Sequence, residues 1–318
     1  MILPLESNRV RRTYLGGGRI DAFTGSRPAA DGVPRPEDWL ASTTTAYNGT
    51  HEIEGEGLGR IADGRLVRDV AGTLPILVKL LDSDERLVIQ AHPTVPFAQA
   101  RLNSPVGKTE CGYVLPGTAA DACVYLGFRP GITLETWRRA FELQEGLLEL
   151  LHRVPVKAGD FVFVDGGVPH AIGAGCFMVE LQEPSDLMVV AERSTPSGRR
   201  IPDGKIFGGL DLDGMLDVYG YEGVSYDELC EKYVRRSTAY PASEPAVRIL
   251  DPGMTDKFEM WRMTEGGNVP LGDKQAVAVV AEGEGMLNGC LMRKGDRLLV
   301  YDERELSAKG KAIVLICK

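Results

Sequence analysis

A glutamine, two histidines, a lysine and a glutamate stand in two short runs and one distant tripeptide. The first run, Leu87-Val88-Ile89-Gln90-Ala91-His92-Pro93, is rich in β-branched residues and ends at a proline, as a strand does. Alternation along that strand puts Gln90 and His92 on one face. In the second run, Gly107-Lys108-Thr109-Glu110, the lysine and glutamate are two apart and share a face if the segment is extended. Polar side chains near a core need partners. A divalent metal would supply one, and His170 of Val168-Pro169-His170 could complete a nitrogen and oxygen donor set. A hydrogen-bonded polar core is the alternative.

These residues need β structure to hold them, and most of the chain reads that way. Glu37 to Ser42, Leu74 to Leu81, Cys111 to Leu126, Phe161 to Val164 and Cys176 to Gln182 are apolar runs with the length of strands. Lys79 interrupts one of them, either as a lysine reaching water from an edge strand or as a cation lining a pocket. Residues 1 to 35, rich in Gly, Pro and Arg, are expected to be loops and short edge strands. Leu134, Trp137, Phe141, Leu148 and Leu151 follow a helical period, which Gly146 weakens and could divide in two. His152 at the end of that helix and His51 in turn-like surroundings read as structural. Arg193 to Gly209 reads as a polar loop, Tyr226 to Arg236 as helical, and Pro241 to Pro245 as a linker. Lys157-Ala158-Gly159-Asp160 with its following strand is echoed by Lys294-Gly295-Asp296, the second copy lacking the histidine.

The 318 residues carry a net charge of −9, which argues against nucleic-acid and anionic-membrane partners. No apolar run approaches a bilayer span. The six cysteines are scattered without a Cys-x-x-Cys pair, which suits reduced, buried thiols and a cytoplasmic location. Oligomeric state is left open.

Gln90-Ala91-His92-Pro93, Gly107-Lys108-Thr109-Glu110, Pro169-His170-Ala171-Ile172, Glu180-Leu181-Gln182 with Ser185-Asp186, and Lys79-Leu80-Leu81-Asp82 together resemble the type I phosphomannose isomerases. The resemblance spans about residues 14 to 192. It implies a mainly β fold of two cupin-type β-barrel (jelly-roll) modules with a small helical segment. Residues 1–130 and 153–240 would form the catalytic module, 131–152 a helical insertion, and 241–318 a C-terminal β module without ligands. It further implies that Gln90, His92, Glu110 and His170 bind one Zn2+ per chain, with other divalent metals acceptable. The implied reaction interconverts mannose 6-phosphate and fructose 6-phosphate through a cis-enediol, a small sugar phosphate being the partner. Glu180 is the proton-transfer candidate, and Lys79 and Lys108 match lysines of the family pocket.

Three positions depart from the family pattern. Val88 stands where a serine is usual, and Val190 where the active-site arginine belongs. Arg193 is the expected substitute, with Arg199-Arg200 close behind, although an odd shift along a strand reverses the face. Tyr14-Leu15-Gly16-Gly17 replaces Trp-Gly-Gly and touches packing. The lost hydroxyl and guanidinium leave two alternatives: an isomerase of another sugar, phosphorylated or not, or a non-catalytic cupin binding metal and sugar.

Overall fold

The computed structural model describes residues 1–28, 32–47, 53–241 and 243–318, so His51 lies outside the described residues. Its strands form three antiparallel sheets, and the fold is mainly β, as expected.

The seven-stranded sheet runs, in spatial order, through Val234–Arg235, Phe161–Val164, Glu110–Val114, Phe177–Gln182, Leu77–Asp82, Glu37–Leu40 and Arg9–Val10. Its four strands Phe161–Val164, Glu110–Val114, Phe177–Gln182 and Leu77–Asp82 are buried at every position, so both faces are covered. One face meets a five-stranded sheet ordered Val189–Val190, Gln90–Ala91, His170–Ile172, Cys123–Phe128 and Leu151–Pro155. On the other face Val78, Leu80, Cys111 and Leu181 join Leu250, Phe258, Val277 and Leu315 in one continuous apolar cluster. The nine-stranded sheet that supplies Val277 and Leu315 includes Ile2–Pro4 beside Arg297–Val300, so the two ends of the chain share a sheet. Facing layers, rather than closed barrels, describe the backbone hydrogen bonding among the described residues.

Lys79 is not an edge lysine. Its strand lies between Glu37–Leu40 and Phe177–Gln182, and the residue is 2% exposed. The expected long helix is also corrected: it covers Leu134–Leu143 and stops where Gln144 (φ 56°) and Gly146 (φ 69°) turn left-handed. A short 3-10 turn follows, then the strand Leu151–Pro155. His152 therefore sits in a strand, its Nε2–H donating to the Val224 carbonyl at 2.8 Å, and its role is structural. The loop expected at 193–209 contains the short helix Asp203–Phe207. The expected helix near Tyr226 spans Tyr226–Tyr233, started by a capping box between Ser225 and Glu228.

The internal echo is a real structural repeat. In the first copy the Asp160 N–H donates to Lys157 O, and Gly159 and Asp160 bridge Val114 by two backbone bonds. In the second, Asp296 donates to Arg293 O, and Gly295 and Asp296 bridge Val280 in the same way. Both glycines need a positive φ, 87° at Gly159 and 89° at Gly295. A Cβ at Gly295 would meet the Phe23 carbonyl oxygen at 2.2 Å, whereas at Gly159 it would meet the Ser237 side chain at 2.8 Å. Backbone yields less readily than a side chain. Gly295→Ala is therefore expected to destabilise more than Gly159→Ala, each by at least about 1 kcal/mol, in urea unfolding. Equal losses would mean that backbone conformation alone sets the cost.

Candidate metal centre and pocket

The seven-stranded sheet brings one row of inward side chains to the site. Cross-strand register aligns Trp39, Lys79, Glu180 and Gly112. Two residues along, and so on the same face, stand Glu37 and Glu110. From the opposite sheet, His170 pairs directly with Gln90, which pairs with Val190. His92 follows two residues after Gln90 and is fully buried.

These layers bring His92, Glu110 and His170 within 4.8 Å of one another by their ligating atoms. His92 Nε2 is 3.1 Å from Glu110 Oε2, and His170 Nε2 is 3.1 Å from Glu110 Oε1. The Gln90 amide lies 3.3 Å from His170 Nε2. A carbonyl can only accept, so the Leu187 and Val168 carbonyls, each at 2.9 Å, fix the protons of His92 and His170 on Nδ1. The neutral His92 ring then aims its Nε2 lone pair at the Glu110 carboxylate. Two buried acceptors face to face require a cation. The Lys108 ammonium answers part of that need, 2.8 Å from His92 Nε2 and 2.7 Å from Glu110 Oε2. Two imidazoles, a carboxylate and an amide fit a divalent metal, with the backbone carbonyls as the outer support such ligands use.

The electrostatics agree. Burial, helped by the Lys108 charge, depresses the His92 imidazole to about 3, so it is neutral at pH 7. Burial alone would raise the Glu110 carboxyl, but Lys108 and the two histidines outweigh it and hold the group well below the usual range. Glu180 behaves differently. Burial raises it, Lys79 at 3.1 Å opposes, and Glu110 adds a like charge, with a net upward shift. A carboxyl raised beside one held ionised is the pattern of a proton-transfer group.

Beside this centre lies a small cavity of about 40 Å³ lined by residues that include Lys79, Gln90, Lys108 and Glu180. Val88 and Val190 line it too, with Met188 and Ile201, so the positions of the missing serine and arginine form an apolar wall. Arg193 does not reach it. That residue is exposed, its guanidinium 5.3 Å over the Phe141 ring, and its backbone N–H bonds Gln144. Arg199 bonds the Thr13 carbonyl at the surface, and exposed Arg200 faces Asp203.

Two cations that sequence reasoning missed do line the cavity: Arg12 and Lys205. Arg12 forks onto Asp186 at 2.8 and 2.9 Å and bonds Glu37 at 2.9 Å, 4.9 Å from the Trp39 ring. Glu37 also accepts from Tyr14 and Trp39; burial would raise it, but Arg12 and Lys79 hold it at about 2. No spacing signal marked Arg12, since its partners lie 25 and 174 residues away. Lys205 shares the cavity with cations that each have a close carboxylate: Lys79 with Glu180, Lys108 with Glu110, Arg12 with two. Among the described residues Lys205 is in no such ion pair. It stands at the junction with a wider outer cleft of about 400 Å³ that also includes Tyr47, Asp186 and Met188.

Burial first, and Arg12 second, bring the Lys205 ammonium down to about 8. Unfolded, it would titrate near 10.4. Between these values the unfolded chain binds more protons, so this group makes stability rise with pH. The stability of wild type relative to Lys205→Met is expected to increase between pH 7 and 10, by a few kcal/mol at most, in parallel urea titrations. An unchanged difference would contradict the shift.

No family model matches the chain. Over 112 residues, 35% of this chain and 35% of the relative, it is 41% identical to mannose-6-phosphate isomerase ManA of Bacillus subtilis (strain 168). That match spans only about a third of the relative's length. A putative mannose-6-phosphate isomerase of the same organism, YvyI, is 24% identical over 254 residues, covering 76% of this chain and 74% of that one. The crystal structure of a mannose 6-phosphate isomerase from Bacillus subtilis superposes with a TM-score of 0.73 at 19% identity, covering 100% of this chain and 99% of that one. The fold is shared along the whole length.

Proposed function

We infer that this chain, a relative of the type I phosphomannose isomerases, is a metal-dependent aldose–ketose isomerase that interconverts mannose 6-phosphate and fructose 6-phosphate. The observation that carries this reading is the meeting of Gln90, His92, Glu110 and His170 at one buried point beside the Lys79–Glu180 pair. Sequence similarity to named mannose-6-phosphate isomerases supports the substrate.

Zinc suits two imidazoles and a carboxylate, and manganese, iron or cobalt would also be held. When bound, the metal supplies Lewis-acid polarisation of the sugar's C1 and C2 oxygens. The rest falls to the chain. The Leu187 and Val168 carbonyls hold His92 and His170 in orientation. Glu180, fixed through Oε1 by Lys79, takes the proton from C2 and returns it to C1 of the cis-enediol. Lys108 and Lys79 place positive charge beside the negative charge that develops on the enediol oxygens. Lys205, at the junction of cavity and outer cleft, takes the phosphate in place of the guanidinium absent at position 190. Arg193 has no part in this arrangement.

The apolar wall of Val88, Met188, Val190 and Ile201 favours one second reading, an isomerase of an unphosphorylated sugar. Turnover separates them. Metal-loaded protein is expected to convert mannose 6-phosphate to fructose 6-phosphate, and a chelated control is not. Conversion of mannose alone would support the second reading. Binding without turnover by protein holding one metal per chain would make it a non-catalytic cupin.

Two variants refine the assignment. Glu180→Gln is expected to retain metal and substrate while kcat falls by about 10²-fold or more. Lys205→Met is expected to raise KM for mannose 6-phosphate about tenfold or more, since a charge-assisted bond to phosphate is lost. An unchanged KM would remove Lys205 from the phosphate site.

A further inference from the structure

The C-terminal module contributes no side chain to the metal centre, yet it reaches the strand that carries Glu110. Lys257 Nζ donates to Thr109 Oγ1 and to Glu183 Oε2, both at 2.8 Å. Thr109 stands between Lys108 and Glu110. Its backbone is held twice by Glu183: its N–H donates to Glu183 Oε2 at 2.8 Å, and its carbonyl accepts the Glu183 N–H at 3.1 Å.

The same cluster touches the supports of both histidines. Thr109 Oγ1 donates to Asp165 Oδ1 at 3.3 Å, and Asp165 opens the turn that leads to His170. Within that turn the Gly167 N–H donates to the His92 carbonyl at 2.7 Å, and the Val168 carbonyl orients the His170 ring. Glu183 is 5% exposed, and Lys257 is its only ion-pair partner among the described residues. Lys257 itself is placed by its neighbour Phe258, which is buried in the core shared by the modules.

A buried carboxylate without its cation must take a proton or move. Either change alters the acceptor that holds the Thr109 N–H, one residue from Glu110. We propose that Lys257 is a positioning residue through which the C-terminal module sets the metal centre: by locking Glu183 onto Thr109, it fixes where Glu110 and Lys108 point. The proposal rests on the reading of His92, Glu110 and His170 as metal ligands.

Cobalt(II) bound to the full chain tests it without any sugar. Lys257→Met is expected to weaken Co(II) binding about tenfold in chelator competition, the scale of losing an outer support of a metal ligand, and to alter the visible Co(II) spectrum. Lys257→Arg should restore most of the affinity. Glu183→Gln should reproduce the Lys257→Met loss, and the double variant should lose little more than either alone. In turnover, kcat should fall more than KM rises.

Co(II) affinity and spectrum unchanged in both Lys257→Met and Glu183→Gln would overturn the proposal, whatever happened to thermal stability, because the lysine would then only tie the modules together. If Lys257→Met does not fold, Glu183→Gln and Lys257→Arg carry the same comparison. Failure of the isomerase reading would show as altered Co(II) binding with no turnover in wild type. Failure of this inference would show as normal turnover with Co(II) binding untouched.

Discussion

Two acceptors meet in the buried interior beside His170: the His92 imidazole nitrogen, its ring proton committed to the Leu187 carbonyl, and the carboxylate of Glu110. Such a convergence is unfavourable without a cation, and much of the interior can be understood as its consequence. Lys108 is drawn in from two residues away along the chain. Around it the buried charges alternate, with Lys79 against Glu180 and Glu37, and Arg12 against Glu37 and Asp186. Breaking one member of such a set leaves its partner uncompensated, at a cost of about 3–5 kcal/mol. The network spans four adjacent strands of the sheet, those of Glu110, Glu180, Lys79 and Glu37, so the site and the fold stabilise each other.

Much of this was legible from period-two alternation. Gln90 with His92, and Lys108 with Glu110, required only that their segments be extended, and Glu180 required only that its strand face inward. What could not be read were contacts made by chain excursions. Arg12 reaches the cavity from a stretch that looks like a glycine-rich loop. Lys205 arrives on a short helix after a surface detour from Asp186. Arg193 was the nearer cation in sequence, but the chain leaves the sheet after Val190, and the side chain lies over Phe141 instead. The helix near Trp137 was overextended because Gln144 adopts a left-handed conformation that its residue type does not advertise.

The repeated Gly-Asp turn shows what the two β modules share and where they differ. The backbone bonds around Asp160 and Asp296 coincide, so the repeat is one of scaffold. Chemistry was built on one copy only, on the side where a second sheet closes over the strand bearing Glu110. The other copy packs against the back of that sheet and shares its core. In this arrangement the cavity's apolar wall at Val88 and Val190 lies on the five-stranded sheet and its flank, beside the charged row of the facing sheet.

The inferred function stands on the donors that would surround a bound metal. Zinc K-edge X-ray absorption on protein loaded with one zinc per chain would report them. Two imidazoles with the remaining donors oxygen, and loss of one imidazole shell in His170→Ala, are expected. A sulfur shell, or a shell indifferent to His170, would contradict the site and the function inferred from it.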